Sequence, residues 1–416
     1  MSYKKNIFLT ISGYLFLLIP FFLITGPFLS DLALSIIVIL TLVYAYQNSM
    51  FRIFKNKYFI IFSIFYLYLI INSLFQNQNF DSIKISFTYL RFGIFFIAVI
   101  YIIKNDNLVL KKLYYLFFFI FSALILDGFF QFFYEKNILG YPLSVGPRVS
   151  SFFDDELILG SYMSRLFPIF FGLVIYFEKE ISKFQYIICC MIFIFSEILI
   201  YLSGERAAFF YMNLSAIFIL IALKNYRKLR LTTFLISLIL IFSISILFPN
   251  TKQRVFNQTF EQMGLSSDKK LVLFSIQHNE IFKAAYNIFK DNIYFGVGVK
   301  NFRYECKLDK YNTSNFSCST HPHNSYLQLL SELGLIGFFF GIFVLILFSK
   351  TIINHFIFKF KNKIYYDDFQ VCLLASILIS LWPLVPTGNI FNNWLNIVYY
   401  YPVGIFLWSL SKNKKL

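Results

Sequence analysis

Long apolar runs recur along the chain, separated by short polar gaps. They lie at roughly 7–25, 31–49, 58–75, 85–103, 113–134, 157–177, 184–202, 206–223, 231–248, 324–348, 368–386 and 394–411. Each can cross a hydrocarbon core about 30 Å thick as a helix. The pattern predicts an all-α polytopic integral membrane protein with about twelve transmembrane helices. One gap is different. Residues 249–323 are too many for a turn and are expected to form a long, partly helical loop. Within it, NEIFKAAYNIFK (279–290) sets Ile281, Ala284, Ala285 and Ile288 on one face, which predicts an amphipathic helix over the membrane surface or a cavity. FGVG at 295–298 reads as a turn. No internal repeat, low-complexity tract or soluble second domain interrupts the pattern, so residues 1–416 read as one membrane domain. The first run lacks a small-residue cleavage site and a second span follows closely, so no signal peptide is expected.

Composition agrees with this reading. Charged residues make up 14% of the chain, against about a quarter in soluble proteins. A formal net charge of +16 could suggest nucleic acid, but its distribution excludes that partner. Basic residues concentrate in alternate gaps: Lys4 and Lys5; Arg52, Lys55 and Lys57; Lys104, Lys111 and Lys112; Lys179 and Lys183. The series continues with Lys224, Arg227, Lys228 and Arg230, then Lys350, Lys359, Lys361 and Lys363, then Lys412, Lys414 and Lys415. The intervening short gaps hold chiefly Lys84, Lys136 and Arg148. This is the positive-inside pattern. It places both termini in the cytoplasm and the 249–323 loop outside.

Cys189, Cys190 and Cys372 fall within spans and read as packing residues. Cys306 and Cys318 share the outer loop, where a disulfide would close a short ring, contributing about 3 kcal/mol. The rival is zinc held by these cysteines with His321 and His323, although no CxxC spacing is present.

Two spans should enter the membrane from the outer face, opening with SGERAAFF and HPHNSYLQ. Ser203 is the expected cap of the first, with Arg206 in its first turn. In the second, Pro322 suits the first helical position, which makes His321 the cap and puts His323 in the first turn. A helix N-terminus presents free N–H groups and partial positive charge, suiting an anion, phosphate above all. The same field keeps an imidazole neutral and able to accept a proton. Arginine adds bidentate contacts to phosphate oxygens. Together these predict an anionic lipid headgroup beside a general base. The structural alternative makes Arg206 an interfacial anchor and the histidines solvated caps.

Further polar residues call for the same choice. Asp127 and Gln131 share a helix face, and Asn324, Gln328 and Glu332 form a stripe down the start of the 324–348 span. Arg91 and Arg165 lie in outer halves of spans, either snorkelling or paired. Arg148 precedes an acidic group, Asp154, Asp155 and Glu156. Gly334, Gly337 and Gly341 have the spacing of close helix packing.

SGERAAFF, FKDNIYFGVGVKNFRYEC and HNSYLQLLSELGLIG, in that order, resemble the bacterial O-antigen ligase and polymerase superfamily. His323, Asn324, Gly334 and Gly337 match its His-Asn pair and following Gly-x-x-Gly, and Ser203, Gly204 and Arg206 match its Ser-Gly-x-Arg. The resemblance implies a metal-independent, cofactor-free glycosyltransferase in the bacterial inner membrane, working at the periplasmic face. Its donor would be an undecaprenyl-pyrophosphate-linked glycan. Its acceptor would be a lipid A-core sugar for a ligase, or another lipid-linked repeat for a polymerase, with membrane lipids as surroundings. It implies His323 as the base and arginines, Arg206 first, on pyrophosphate, with His321 and Asn324 also in the substrate site. One departure stands out. Where the family often has an arginine four residues before a tryptophan, this chain has His278 and Phe282. The second phosphate ligand must then be Arg303, Arg254 or His278 itself. A lipid-linked sugar transporter is the remote alternative, but transporters show inverted repeats and broken helices, and the sequence displays neither.

Overall fold

The computed structural model describes residues 6–76, 79–144, 146–263 and 274–412. Lys4, Lys5, Lys414 and Lys415 of the predicted cytoplasmic ends lie outside the described residues, as do residues 264–273 of the long loop. The first half of the chain forms α1 (Ile7–Phe22), α2 (Pro27–Gln47), α3 (Lys57–Phe75), α4 (Phe80–Thr88), α5 (Leu90–Asn105), α6 (Val109–Tyr134), α7 (Leu159–Tyr176) and α8 (Lys183–Leu202). Next come α9 (Arg206–Ala222) and α10 (Arg227–Leu247), then short α11 (Pro249–Lys252) and α12 (Gln258–Gln262), with one π-helical turn between the last two. The chain ends with α13 (Ile276–Asp291), α14 (Phe302–Glu305), α15 (Ser325–Phe360), α16 (Asp368–Leu381) and α17 (Asn393–Lys412).

Each stretch predicted to span is largely helical, although α16 ends at Leu381, short of the expected 386. Among the described residues eight helices, with α4 and α5 counted as one, are long and apolar enough to cross a membrane. Helices α1, α9 and α16 are apolar but shorter. Exposure follows position. On α3, Ile60, Ile64, Leu67 and Ile71 form an exposed apolar stripe that suits lipid, whereas α7 and α16 are buried almost all round and form the centre.

The two ends of the bundle differ chemically. At one end the predicted basic gaps meet: Lys111 pairs with Glu180 at 2.8 Å, Tyr226 donates to Glu178, Asp368 accepts from the Lys224 and Asn225 N–H groups, and Lys412 reaches Tyr176. At the other end lie the 135–158 loop, the α8–α9 turn, α13, α14 and the 382–392 segment. Asp127 and Gln131 do share a face. Asp127 accepts from Ile138 N and Ser151 Oγ, and Gln131 accepts from Ser150 N and Ser151 N, so the pair anchors the 137–151 loop. Arg91 is paired, with Asp31 at 2.9 Å.

Helix α13 buries the predicted face, Ile281, Ala284, Ala285 and Ile288, against Val297, Phe302, Cys306 and Tyr311. Its seat is a break in α15. Gly334 adopts φ +64°, ψ −162°, interrupting a helix expected to be continuous. The freed groups bond to the 293–298 segment: Leu335 N to Ile293 O (2.8 Å), Gly298 N to Glu332 O (2.8 Å) and Val297 N to Ser331 O (3.1 Å). Tyr68 and Asn72 of α3 complete the join by donating to Leu333 O and Phe295 O. Irregular backbone at such depth survives only when its polar groups are satisfied this way. A Cβ on Gly334 would overlap the Tyr294 carbonyl, and one on Gly296 (φ +66°) would overlap that of Glu332. The glycine spacing therefore does not serve packing between helices: Gly334 makes the break, and Gly337 and Gly341 receive Leu333 and Leu329 from the preceding turns of the same helix.

Gly334→Ala should cost more than the roughly 1–3 kcal/mol of a strained backbone, because it adds a main-chain clash. Gly341→Ala meets only the tip of the Leu329 side chain, at 2.6 Å. The yield of monodisperse protein in detergent and its melting temperature should fall sharply for the first and little for the second.

Candidate active site

The SGER stretch is a tight corner. Ser203 ends α8, Gly204 takes the left-handed conformation (φ +65°) that closes a helix, and Arg206 begins α9. Ser203 was expected to cap α9 but instead donates to Ile200 O in α8, because it belongs to the helix that is ending. Glu205 holds the N-cap position, yet its carboxylate serves the neighbouring α7, accepting from Gly160 N (2.6 Å) and Ser161 N (3.0 Å). Burial lifts its pKa to about 7 against those two bonds and the attraction of Arg148 and Arg165.

Arg206 donates to Thr259 Oγ1 (3.1 Å) and Gln262 Oε1 (2.8 Å) on α12. Arg254 and Arg148 lie over Gly204, where a Cβ would stand 3.1–3.2 Å from them. Arg148 donates to Ser203 O rather than to the acidic residues 154–156, and Arg254 to Gln258 Oε1. The three guanidinium groups are close enough to repel one another. Burial depresses the pKa of Arg148; Glu205 opposes the shift and Arg254 adds to it. Among the described residues none of the three forms an ion pair, and Arg254 Nε is buried without a hydrogen-bond partner.

Against this cluster stand three imidazoles. The rings of His278 and His323 are 5.4 Å apart, and those of His323 and His321 are 4.1 Å apart. The expected capping is corrected here. Helix α15 starts at Ser325 and its cap is Asn324, which accepts from Tyr326 N and Leu327 N; His321 and His323 precede the helix. Pro322 is not its first residue, because His323 turns the chain into a left-handed conformation (φ +54°). That conformation is uncommon for a residue other than glycine. It is held by the His323 carbonyl, which accepts from Thr387 N at 2.8 Å.

Ring contacts separate the three histidines. His321 Nε2 lies 3.3 Å from Thr387 O, so it carries the proton, and Nδ1 then accepts from Thr320 Oγ1. His323 has Ser319 Oγ at Nε2 (3.0 Å), and His278 has Ser275 Oγ at Nδ1 (2.8 Å). Each of these two keeps one ring nitrogen without a hydrogen bond among the described residues. Burial, then His323 and Arg206, brings the His278 pKa to about 4. Burial and His323 bring His321 to about 3, against the pull of the Thr387 carbonyl. Burial lowers His323 as well. All three are neutral near pH 7.

The 319–324 segment is pinned at both ends. Cys306 and Cys318 form a disulfide, with Cα atoms 5.0 Å apart, which removes both thiols from any zinc site. Among the described residues no three His, Cys, Asp or Glu side chains are placed to hold a metal ion. At the other end Asn324 Nδ2 donates to Pro383 O. Gln328 and Glu332 face inward as a stripe: Gln328 donates to Asn389 Oδ1 and to Glu332, which also accepts from Lys300 N. Arg303 is close enough to His321, Lys300 and Glu332 to act on all three. Arg148 and Arg165 stand out in the sequence, as a neighbour of acidic residues and as an intramembrane cation, without being assigned to the site. Arg165 stacks on Tyr211 (4.8 Å) and bonds Ser161 Oγ (2.6 Å). Only its position in the outer half of a span marked it.

Residues 190–342 match the family model of the O-antigen ligases. That match supports the O-antigen ligase superfamily for this stretch of the chain. The matched stretch carries Arg206, Arg254, His278, Arg303, His321 and His323, while Arg148, Arg165 and Thr387 come from outside it. No curated protein matches the chain. The matched domain and the apolar helices fit a membrane-embedded protein with a glycosyl-transfer kind of function.

Neutral burial has a pH signature. Imidazoles with folded pKa values below the unfolded value of about 6.5 stabilise the fold above that value and lose the contribution as pH falls. The melting temperature should hold between pH 8 and 6.5 and drop towards pH 4. His321→Asn should make that drop shallower.

Proposed function

We propose that this protein is a glycosyltransferase of the ligase type, moving a glycan from an undecaprenyl-pyrophosphate-linked donor to a lipid A-core sugar at the periplasmic face of the bacterial inner membrane. The observation that carries the reading is the meeting of three arginines, without an ion pair among the described residues, with neutral imidazoles at the end of the bundle opposite the basic gaps. Arg206, Arg254 and Arg148 bind the pyrophosphate, whose negative charge relieves their mutual repulsion. His278, standing where relatives often carry an arginine, is neutral in the free site and gains a proton as phosphate arrives.

His323 is the base. Its imidazole takes the proton of the acceptor hydroxyl, the oxygen attacks the anomeric carbon, and the bond to pyrophosphate breaks with its electron pair leaving on undecaprenyl pyrophosphate. His321, with both ring nitrogens engaged, is a positioning residue that ties the 319–324 segment to Thr387.

His323→Ala should cut turnover by about 10²–10⁴-fold with donor binding nearly intact. Arg206→Ala should weaken donor binding, and Arg206→Lys should rescue only partly, since ammonium cannot form the bidentate fork. The assay is transfer to lipid A-core in liposomes at equal protein abundance. Wild-type rates for His323→Ala would refute the base assignment, and product on a second lipid-linked glycan would assign a polymerase.

The alternating basic gaps support cytoplasmic termini and twelve spans. A cysteine placed at residue 226, in a variant lacking Cys189, Cys190 and Cys372, should resist an impermeant thiol reagent added from the periplasm. One placed at residue 268 should react. The reverse pattern would turn the histidines to the cytoplasm and sink the orientation.

A further inference from the structure

At the same end of the bundle a second, polar cavity of about 410 Å³ lies between α4, the start of α5 and the segment leading into α14. Its charges do not balance. Arg91 is matched by Asp31. Lys84, Lys300 and Arg303 also line the cavity and form no ion pair among the described residues; two carboxylates act on these three cations, Asp81 in the wall and Glu332 behind it. Arg303 Nε is buried with no hydrogen-bond partner. Asn79, Asn393 and Tyr304 add neutral donors and acceptors of the kind that hold sugar hydroxyls.

The wall is built with some strain. Lys300 has φ +58°, a conformation that glycine or asparagine would adopt at less cost. It is kept there by Glu332, which accepts from Lys300 N at 2.9 Å, and by Ser82 of α4, which donates to Val299 O at 2.5 Å. Such outliers persist only where the surroundings over-determine them, and they gather at functional sites.

Position relative to the imidazoles gives the cavity a role. His278 feels Arg206 and His323, while His321 feels His323 and Arg303. The His323 ring lies 5.4 Å from that of His278 and 4.1 Å from that of His321, and Arg303, which acts on His321, lines the cavity. The cavity thus adjoins the imidazoles through Arg303 and shares no lining residue with the cluster of Arg148, Arg206 and Arg254.

We infer that this cavity seats an anionic sugar unit of the acceptor glycan, one bearing a carboxylate or phosphate, held by Lys84, Lys300 and Arg303 so that a neighbouring hydroxyl reaches His323. The inference rests on the glycosyl-transfer reading. A charged group in the donor glycan has the same chemistry, and kinetics separates the two sources.

The test measures initial rates in liposomes with donor and acceptor varied in turn, using phosphorylated lipid A-core and its dephosphorylated counterpart as acceptors. For the double variant Lys84→Gln/Lys300→Gln, the KM for the phosphorylated acceptor should rise roughly ten- to hundredfold, the size expected for lost charge-assisted hydrogen bonds. The KM for the donor should move little, and the preference for the phosphorylated acceptor should vanish. Lys84→Arg/Lys300→Arg should keep the preference. In the unaltered protein the KM for the phosphorylated acceptor should climb with salt, and that for the neutral one should not. An unchanged preference in the Gln variant overturns the inference, as does a rise in donor KM alone. If the Gln variant does not fold, equal salt dependence for the two acceptors in the unaltered protein overturns it instead. Absence of any transfer by the unaltered protein overturns the parent reading as well, which distinguishes the two failures.

Discussion

The break in α15 at Gly334 is the constraint on which the outer end of the molecule depends. A helix that deep in the bundle cannot leave carbonyls and amides bare. Its interruption is stable only because 293–298 supplies partners and Tyr68 and Asn72 supply two more donors. That join fixes the end of α13 and so where His278 stands. It also brings Glu332 under Lys300 and Phe302, setting the start of α14. One glycine-dependent discontinuity thus positions residues on three segments that are far apart in sequence.

Electrostatics divides the site into two kinds of unsatisfied group. Arg148, Arg206 and Arg254 are cations kept together with no ion pair among the described residues, while the Glu205 carboxylate beside them is committed to the N-terminus of α7. The imidazoles are bases kept uncharged by burial and by one another. A polyanion corrects the first imbalance and a hydroxyl proton the second.

Much of this was legible in the sequence, at different depths. Apolar run length fixed the helices, since helix is the way a lone segment satisfies its backbone in lipid. The face of α13 followed from spacing, and Arg206, His323 and the Cys306–Cys318 pair stood out by residue type in an apolar context. What stayed hidden depended on backbone geometry or distant partners. Nothing local distinguishes a Pro322 that opens a helix from one preceding a left-handed His323, because the bond from Thr387 that holds that turn comes from 64 residues further on. The Gly334 spacing suits a packing face as well as a break, and only the 293–298 partner decides between them. Arg148 lay before an acidic group that proved irrelevant, since the loop folds it back over Gly204.

The unpaired arginines have a consequence at the end of the proposed cycle. Guanidinium groups that grip pyrophosphate do so whether or not a glycan is still attached, so the spent carrier would leave the reaction centre as tightly held as the loaded one. Turnover in such a site would be paced by surrender of the carrier to the bilayer, and free undecaprenyl pyrophosphate would compete with incoming donor. Its supply in the membrane would then be coupled to whatever removes the empty lipid.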